Sequence, residues 1–383
     1  MTDLATSCFL AEEHHELRRQ VRRFVADRLA PHVDEWERAQ AFPRELYTAL
    51  GQVGFLGLGF PEEHGGAGGD LIHQLVLVEE LTRSGSPGLA AGLGSLTIAL
   101  PPILNAGSAA QKARWAPKVL SGEWVAALAV TEPGAGSDVA SLRTRALRDG
   151  DDYLISGTKT FITSGARADL VTLAARTGGP GAEGVSVFVV ETDRPGFSAG
   201  QKLEKLGWHA SDTAELSFDE VRVPAENLVG EEGAGFAVLM HNFAGERLIL
   251  AAQAVAIAEM ALEAALGYTQ EREAFGRPIS KFQVNRHRLA EMATGVDVCK
   301  TYVYSLASRV VAGEARLKEV AMAKNAATDM AQRVVDQALQ LHGGYGYMRE
   351  YLVERLYRDV RLYAIGGGTR EIMNELISRQ LGL

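Results

Sequence analysis

The chain has 383 residues, 46% hydrophobic and 23% charged, which suits two or three domains with substantial cores. A net charge of −9 with no run of Lys and Arg argues against a nucleic-acid or anionic-membrane surface, although a few local Arg residues could still hold a small anion. Cys8 and Cys299 lie far apart in no CxxC spacing, so neither a disulfide framework nor a zinc site is expected, and a reducing compartment fits.

The opening MTDLATSCFLAEEHHELRRQVRRF is charged early and lacks an apolar secretory core. No uninterrupted apolar run is long enough to span a bilayer, so a cytoplasmic protein without a membrane span is expected. From Glu12 to about Gly122 the period is helical: Leu17, Val21, Phe24, Val25 and Leu29 recur at three- and four-residue spacing until Pro31. Further helices are predicted over Pro43–Val53, Leu71–Thr82 and Ala109–Val119, with a Gly-rich loop at Pro61–Asp70. Between Trp124 and about Val229, four runs rich in β-branched or aromatic residues predict strands: Tyr153–Thr163, Leu170–Ala175, Val185–Glu191 and Ala214–Val223. Turn residues bound them as in an antiparallel sheet, and no strand–helix alternation suggests a Rossmann-type domain. Long bundle helices follow at Phe236–Tyr268, Gln283–Gly313, Leu317–Leu341 and Thr369–Leu381. The layout is a helical domain over 1–123, a β domain over 124–232 and a helical bundle over 233–383.

Six stretches could carry chemistry. LAVTEPGAGSD (Leu128–Asp138) is an apolar strand running into a Gly-rich turn that gathers Thr131, Ser137 and several backbone N–H groups. Such a turn can bind a phosphate or a polar ring edge, or be a plain turn. In Gly157–Gly165, Phe161 and Thr163 share one strand face, suited to a flat heterocycle or simply to a core. Gly196–Gly200 matches GxSxG around Ser198, but Thr192–Pro195 intervenes after the strand, so the strand-to-helix elbow of a serine hydrolase is not expected. Glu246 lies on an apolar helix with Phe243, Ile249 and Leu250 three and four residues away. A carboxylate there is either a desolvated general base or swings out to pair an Arg. Finally, Tyr363–Glu371 sets three glycines before a helix with Thr369 as N-cap, and Gln340–Gly346 is a second Gly-rich helix end. The nine histidines show no metal-ligand spacing, and no metal is expected.

Together these stretches resemble the acyl-CoA dehydrogenase family from about Glu12 to Leu383. Thr131–Asp138 is similar to the family's TEPxAGSD flavin loop and Lys159–Gly165 to its KxWITNG strand. Arg272–Gly276 resembles its RxxFG segment, Gln340–Gly346 its QxxGGxG segment, and the last stretch its YEGT turn. The resemblance implies a helical N-terminal domain, a middle antiparallel β-barrel and a C-terminal four-helix bundle, with FAD between barrel and bundle. Thr131, Phe161 and Thr163 would contact the isoalloxazine ring, with Leu128, Val130, Gly136 and Ser137 also on the cofactor. Arg272, Phe275, Gln283, Gln340 and Gly344 would hold the ADP half of a flavin bound largely to a neighbouring subunit; Gly343, Thr369 and Glu371 complete the cofactor set. Ser137, Phe243, Arg247 and Gly368 would face the thioester or its CoA arm. A homotetramer built of dimers and an electron-transferring flavoprotein as acceptor are also implied.

Many members carry the catalytic Glu in the YEGT turn, where this chain has Gly367. The long-chain and isovaleryl branches carry it on the bundle helix, at the position matching Glu246, and the stretches Ala244–Leu250 and Gly366–Ile377 look most like the long-chain branch. Phe161 and Ser164 replace the usual Trp and Asn. The resemblance thus implies α,β-dehydrogenation of an acyl-CoA, with Glu246 as base and the Gly367 backbone N–H on the thioester oxygen. The competing readings are a same-fold flavin monooxygenase, an enzyme for carrier-protein-bound acyl groups, a non-catalytic helical interaction protein, and a serine hydrolase at Ser198.

Overall fold

The computed structural model describes residue 6, residues 8–314 and residues 316–383, with the side chains of 242–244 outside the description. The first helix, α1 (Glu12–Phe24), does not run regularly to Pro31. A wider π turn over Val25–Leu29 and a tight turn over Ala30–His32 come between it and α2 (Val33–Ala39). Pro31 has no N–H for the helical ladder, so the hydrogen-bond register changes there. The expected helices then appear as α3 (Glu45–Gln52) and α4 (Leu71–Thr82), and α4 starts where the Asp70 carboxylate accepts the Ile72 N–H at 2.9 Å. Three short helices, α5 (Pro87–Leu93), α6 (Leu96–Ala99) and α7 (Pro101–Ala106), precede α8 (Ala109–Leu120) and were not expected. In α5, residues 87–90 and 92–93 are all buried, so it shows no amphipathic period.

The β domain is one eight-stranded sheet: β1 (Ala126–Ala129), β2 (Arg145–Asp149), β3 (Asp152–Thr163), β4 (Leu170–Arg176), β5 (Val185–Glu191), β6 (Phe197–Lys202), β7 (Thr213–Pro224) and β8 (Leu228–Val229). Its ladder runs β6-β7-β3-β2-β4-β5-β8, with β1 added beside β4. Most pairs are antiparallel as expected, but β1 and β2 meet β4 in parallel. Strands β4 and β5 are buried on both faces. Val171, Leu173, Phe188 and Val190 fill a core of the sheet's own, while Leu170, Ala174, Val187 and Val189 join the core shared with the helices. This accounts for apolar runs without alternation.

The bundle consists of α9 (Gly235–Glu271), α10 (Gln283–Val311), α11 (Leu317–His342), α12 (Leu352–Val360) and α13 (Arg370–Gln380). Helix α9 includes an 18-residue stretch of mean hydropathy 1.7, apolar and long enough to cross a membrane, contrary to the expectation from uninterrupted apolar runs. Here 72% of that stretch is buried inside the protein, and α9 packs on α4, α10 and α11 as a core helix. Small residues let the helices approach closely: Ala251, Ala252, Ala254 and Ala258 on α9, Ala323, Ala327 and Ala331 on α11. Helix α12 was not expected, although Val353, Leu356 and Val360 line its buried face. The start of α9 rests on the sheet, where a Cβ on Gly235 would stand 2.6 Å from the backbone of Ser186. The chain between α12 and α13 then folds back onto α9 and carries Gly366–Gly368 to Glu246.

Candidate active site

Glu246 sits on α9 facing the turn at Gly366–Gly368. Its Oε1 is 3.5 Å from the point where a Cβ on Gly367 would stand, and Leu250 Cδ1 is only 2.4 Å from that point. Gly367 has φ +64, which with this crowding suits glycine and little else. The carboxylate on α9 therefore lies at the Gly366–Gly368 turn. Glu246 keeps some exposed surface, yet the protein packed around its carboxyl desolvates it and raises its pKa to about 7, against the attraction of Arg247 and Lys324. It does not swing out to an Arg: no hydrogen bond or ion pair within 4.0 Å is formed by its carboxylate among the described residues.

The turn is held by cations. Arg247 Nε donates to the Gly367 carbonyl at 3.4 Å, and Lys324 Nζ donates to the Gly366 carbonyl at 2.5 Å and to the Gly368 carbonyl. Three successive carbonyls are thus occupied, whereas no acceptor takes the Gly367 N–H among the described residues. That N–H is available to an incoming oxygen. Burial lowers the pKa of Lys324 to about 8, with Glu246 opposing the shift.

At the sheet, the loop after β1 is fastened from below. Lys159 is fully buried and donates to Glu132 Oε1 at 2.8 Å and to the Val130 carbonyl at 2.9 Å. Burial pushes its pKa down to about 8, partly offset by Glu132. The Thr160 N–H donates to the Thr131 carbonyl at 2.9 Å, which brings Thr131 to the end of β3 beside Phe161 and Thr163. Phe161 adopts φ +59 and leaves 69% of its surface exposed, an unusual place for an aromatic ring. Leu128, Val130 and Thr131 are half-buried at the same edge, while Gly136 and Ser137 are exposed on the loop, with no atom within 4 Å of a Cβ on Gly134 or Gly136.

A third group forms beyond α9. Arg272, Gly343 and Gly344 line a cavity of about 490 Å³ with Tyr268, His342 and Tyr345, and the Arg272 guanidinium lies 5.7 Å from the Tyr345 ring centre. Phe275, Gln283 and Gln340 do not line it. Phe275 stands 94% exposed at the tip of a two-residue hairpin, with φ +53 beside Gly276 at φ +77, and Gln283 and Gln340 are exposed on α10 and α11. Thr369 caps α13 by accepting the Ile372 N–H at 3.3 Å, and Glu371 is exposed in its first turn. Gly368 lies in the Glu246 turn, Arg247 is 7% exposed, and Phe243 lies outside the described residues. Ser198 is mid-strand in β6, paired with Ser217 and followed by no helix, so it forms no nucleophile elbow.

The sequence by itself assigns no role to Lys159, Glu132 or Lys324. The first two stand inside the motifs it singled out. Lys324 was marked only by a charge within the apolar face of α11, a pattern that usually means a side chain reaching solvent.

Comparison with known proteins agrees with this geometry. The sequence matches the acyl-CoA dehydrogenase N-terminal domain over residues 11–123, the middle domain over 127–221 and the C-terminal domain over 233–382. Long-chain specific acyl-CoA dehydrogenase from Rattus norvegicus is 40% identical across 100% of this chain and 89% of that protein. Isovaleryl-CoA dehydrogenase from Oryza sativa is 38% identical over 98% of this chain and 93% of that protein. A solved structure of a probable acyl CoA dehydrogenase from Mycobacterium abscessus superposes with a TM-score of 0.96 at 50% identity, covering 98% of this chain and 100% of that one. Sequence and fold therefore define a three-domain oxidoreductase. The chain belongs to the acyl-CoA dehydrogenase family, whose members act on acyl-CoA thioesters with a flavin cofactor.

The residues fit a flavin. Phe161 offers an exposed flat ring near the end of β3, the open glycines of the β1 loop allow backbone approach, and the Arg272 cavity pairs a cation with Gly343 and Gly344, where no atom lies within 4 Å of a Cβ.

Proposed function

We propose that this protein catalyses FAD-dependent α,β-dehydrogenation of an acyl-CoA to the trans-2-enoyl-CoA, with Glu246 as the base. One observation carries the reading: the Glu246 carboxylate stands at a turn whose carbonyls are all occupied and whose Gly367 N–H is not. The α-proton of a thioester is far too weak an acid for an ordinary carboxylate. A desolvated carboxyl with pKa about 7 narrows the gap from the side of the base. The Gly367 N–H narrows it from the other side, because its hydrogen bond to the carbonyl oxygen strengthens as enolate charge develops.

In this reading Thr131, Phe161 and Thr163, with Leu128, Val130, Gly136 and Ser137, hold the isoalloxazine end of FAD. Arg272, Gly343 and Gly344 hold an ADP half, and the exposed Phe275, Gln283 and Gln340 complete that site across a subunit boundary of a homotetramer, with Thr369 and Glu371 also on the cofactor. Bound FAD supplies a hydride acceptor for the β-carbon. The chain's own work is to take the α-proton onto Glu246, to bind the oxygen at Gly367, and to seat the CoA arm near Ser137, Arg247 and Gly368. An electron-transferring flavoprotein then receives the electrons.

The experiment is anaerobic titration of the flavin-loaded protein with isovaleryl-, octanoyl- and palmitoyl-CoA, following flavin absorbance. Bleaching by one or more chains that is lost in Glu246→Gln is the expected result. A flavin that stays oxidised with every chain, or full bleaching in Glu246→Gln, refutes the assignment.

A further inference from the structure

Lys324 is nearly sealed from solvent, at 1% exposure on α11. Placing an ammonium there costs several kcal/mol of hydration unless hydrogen bonds and an opposite charge return it. A methionine would fill the same space without that cost. Among the described residues the return comes from the active site: the carbonyls of Gly366 and Gly368 accept from Nζ, and Glu246 is the anion that favours its charge. The two carbonyls flank the residue whose N–H has no acceptor, and Lys324 Cε passes 3.8 Å from the Cβ position of Gly367.

We propose that Lys324 is a positioning residue of this site: by gripping the carbonyls on either side of Gly367 it aims that N–H at the thioester oxygen, and it sets a positive charge beside Glu246. The proposal rests on the reading of Glu246 as base. Two peptide planes meet at Gly367, and a glycine with φ +64 has little steric reason to hold them. The Lys324 clamp supplies the restraint that a side chain at 367 would otherwise give, and Arg247 adds a weaker one at 3.4 Å. Arg247 and Lys324 are the charged groups that act on Glu246 among the described residues. Helix α13 is docked on α11 independently, through Arg370 with Asp329 and through Asn325 with Asn374 at 3.0 Å, so loss of the ammonium leaves the helices joined.

The test compares flavin-loaded wild type, Lys324→Met, Lys324→Gln and Glu246→Gln. The first readout is calorimetric: the affinity for a 2-enoyl-CoA divided by that for the S-alkyl-CoA thioether of the same chain, which lacks the carbonyl oxygen. The chain is whichever of isovaleryl, octanoyl or palmitoyl bleaches the flavin fastest. Lys324→Met is expected to shrink this ratio by roughly 3- to 10-fold, the worth of one hydrogen bond. The second readout is the acid limb of the bleaching rate, expected to move up by about one pH unit once the cation beside Glu246 is gone, with kcat falling far more than KM rises. Lys324→Gln, which keeps an N–H donor but no charge, is expected to move the acid limb while preserving more of the ratio. It carries the test if Lys324→Met does not retain flavin. A Lys324→Met protein, or Lys324→Gln in its place, with wild-type ratio and acid limb overturns the proposal while Glu246→Gln still fails to bleach. Full bleaching by Glu246→Gln overturns the reading beneath it instead.

Discussion

Replacing Glu246 by glutamine is expected to weaken function and strengthen the fold at once, and the structure sets the size of both effects. Desolvation raises this carboxyl from the ordinary 4.5 to about 7, and that net shift already includes the attraction of Arg247 and Lys324. At about 1.4 kcal/mol per pKa unit, ionising Glu246 costs the folded protein up to about 3 kcal/mol. Below pH 4.5 the group is protonated whether the chain is folded or not, and the cost vanishes. Between 4.5 and 7 the unfolded chain gives up its proton while the folded one keeps it, so stability is progressively lost as pH rises. Above 7 the full cost is present. Glutamine has nearly the same shape and never ionises, so the variant's stability advantage should be small near pH 5 and grow to roughly 3 kcal/mol by pH 8.5. That corresponds to a rise in Tm of roughly 4 °C in a chain of this size. At pH 8.5, where the wild-type Glu246 is ionised, flavin bleaching should be slower by about 10²- to 10⁴-fold, the usual worth of a general base, and the gap should narrow towards pH 5 as that base is protonated. Thermal unfolding at one scan rate from pH 5 to 9, beside stopped-flow bleaching, measures both. A Tm difference that does not change with pH would refute the desolvation argument, and an unchanged bleaching rate would refute the catalytic one.

Further outcomes follow from the same geometry. Lys159→Met leaves Glu132 buried beneath the β1 loop without its cation, a loss on the order of 3–5 kcal/mol locally. It should purify with less flavin and bind FAD at least about 10-fold more weakly by fluorescence titration, and full flavin occupancy would show that the pair does not support the loop. Gly367→Ala adds a Cβ 2.4 Å from Leu250 Cδ1 on a left-handed backbone that costs alanine about 1–2 kcal/mol. Bleaching should slow by roughly 10-fold or more, and Leu250→Ala in the same protein should restore only part of it because the backbone strain remains. Ser198→Ala, in mid-strand, should change thioester turnover by less than about 2-fold, and loss of turnover there would reopen the hydrolase reading.

Local physics determined much of this protein from sequence alone. The change from helical period to β-branched runs and back reflects which faces are buried, so the helix–sheet–helix order was legible, and helix α4 and strand β5 fall at the expected residues. The motif spacings pointed to the family because a flavin loop and a Gly-rich turn require particular residues at short separations. Short, wholly buried helices such as α5 carry no such period, and the parallel pairing of β1 with β4 joins residues more than forty positions apart, which no window of sequence displays. The active site is the clearest division. Sequence could flag Glu246 as a carboxylate on an apolar helix but left open whether it turned inward or out to an Arg. Only packing decided that, by bringing residue 367 within reach of residue 246 and Lys324 beneath the turn between them. A desolvated base depends on what surrounds it in space, and those neighbours come from helices far apart along the chain.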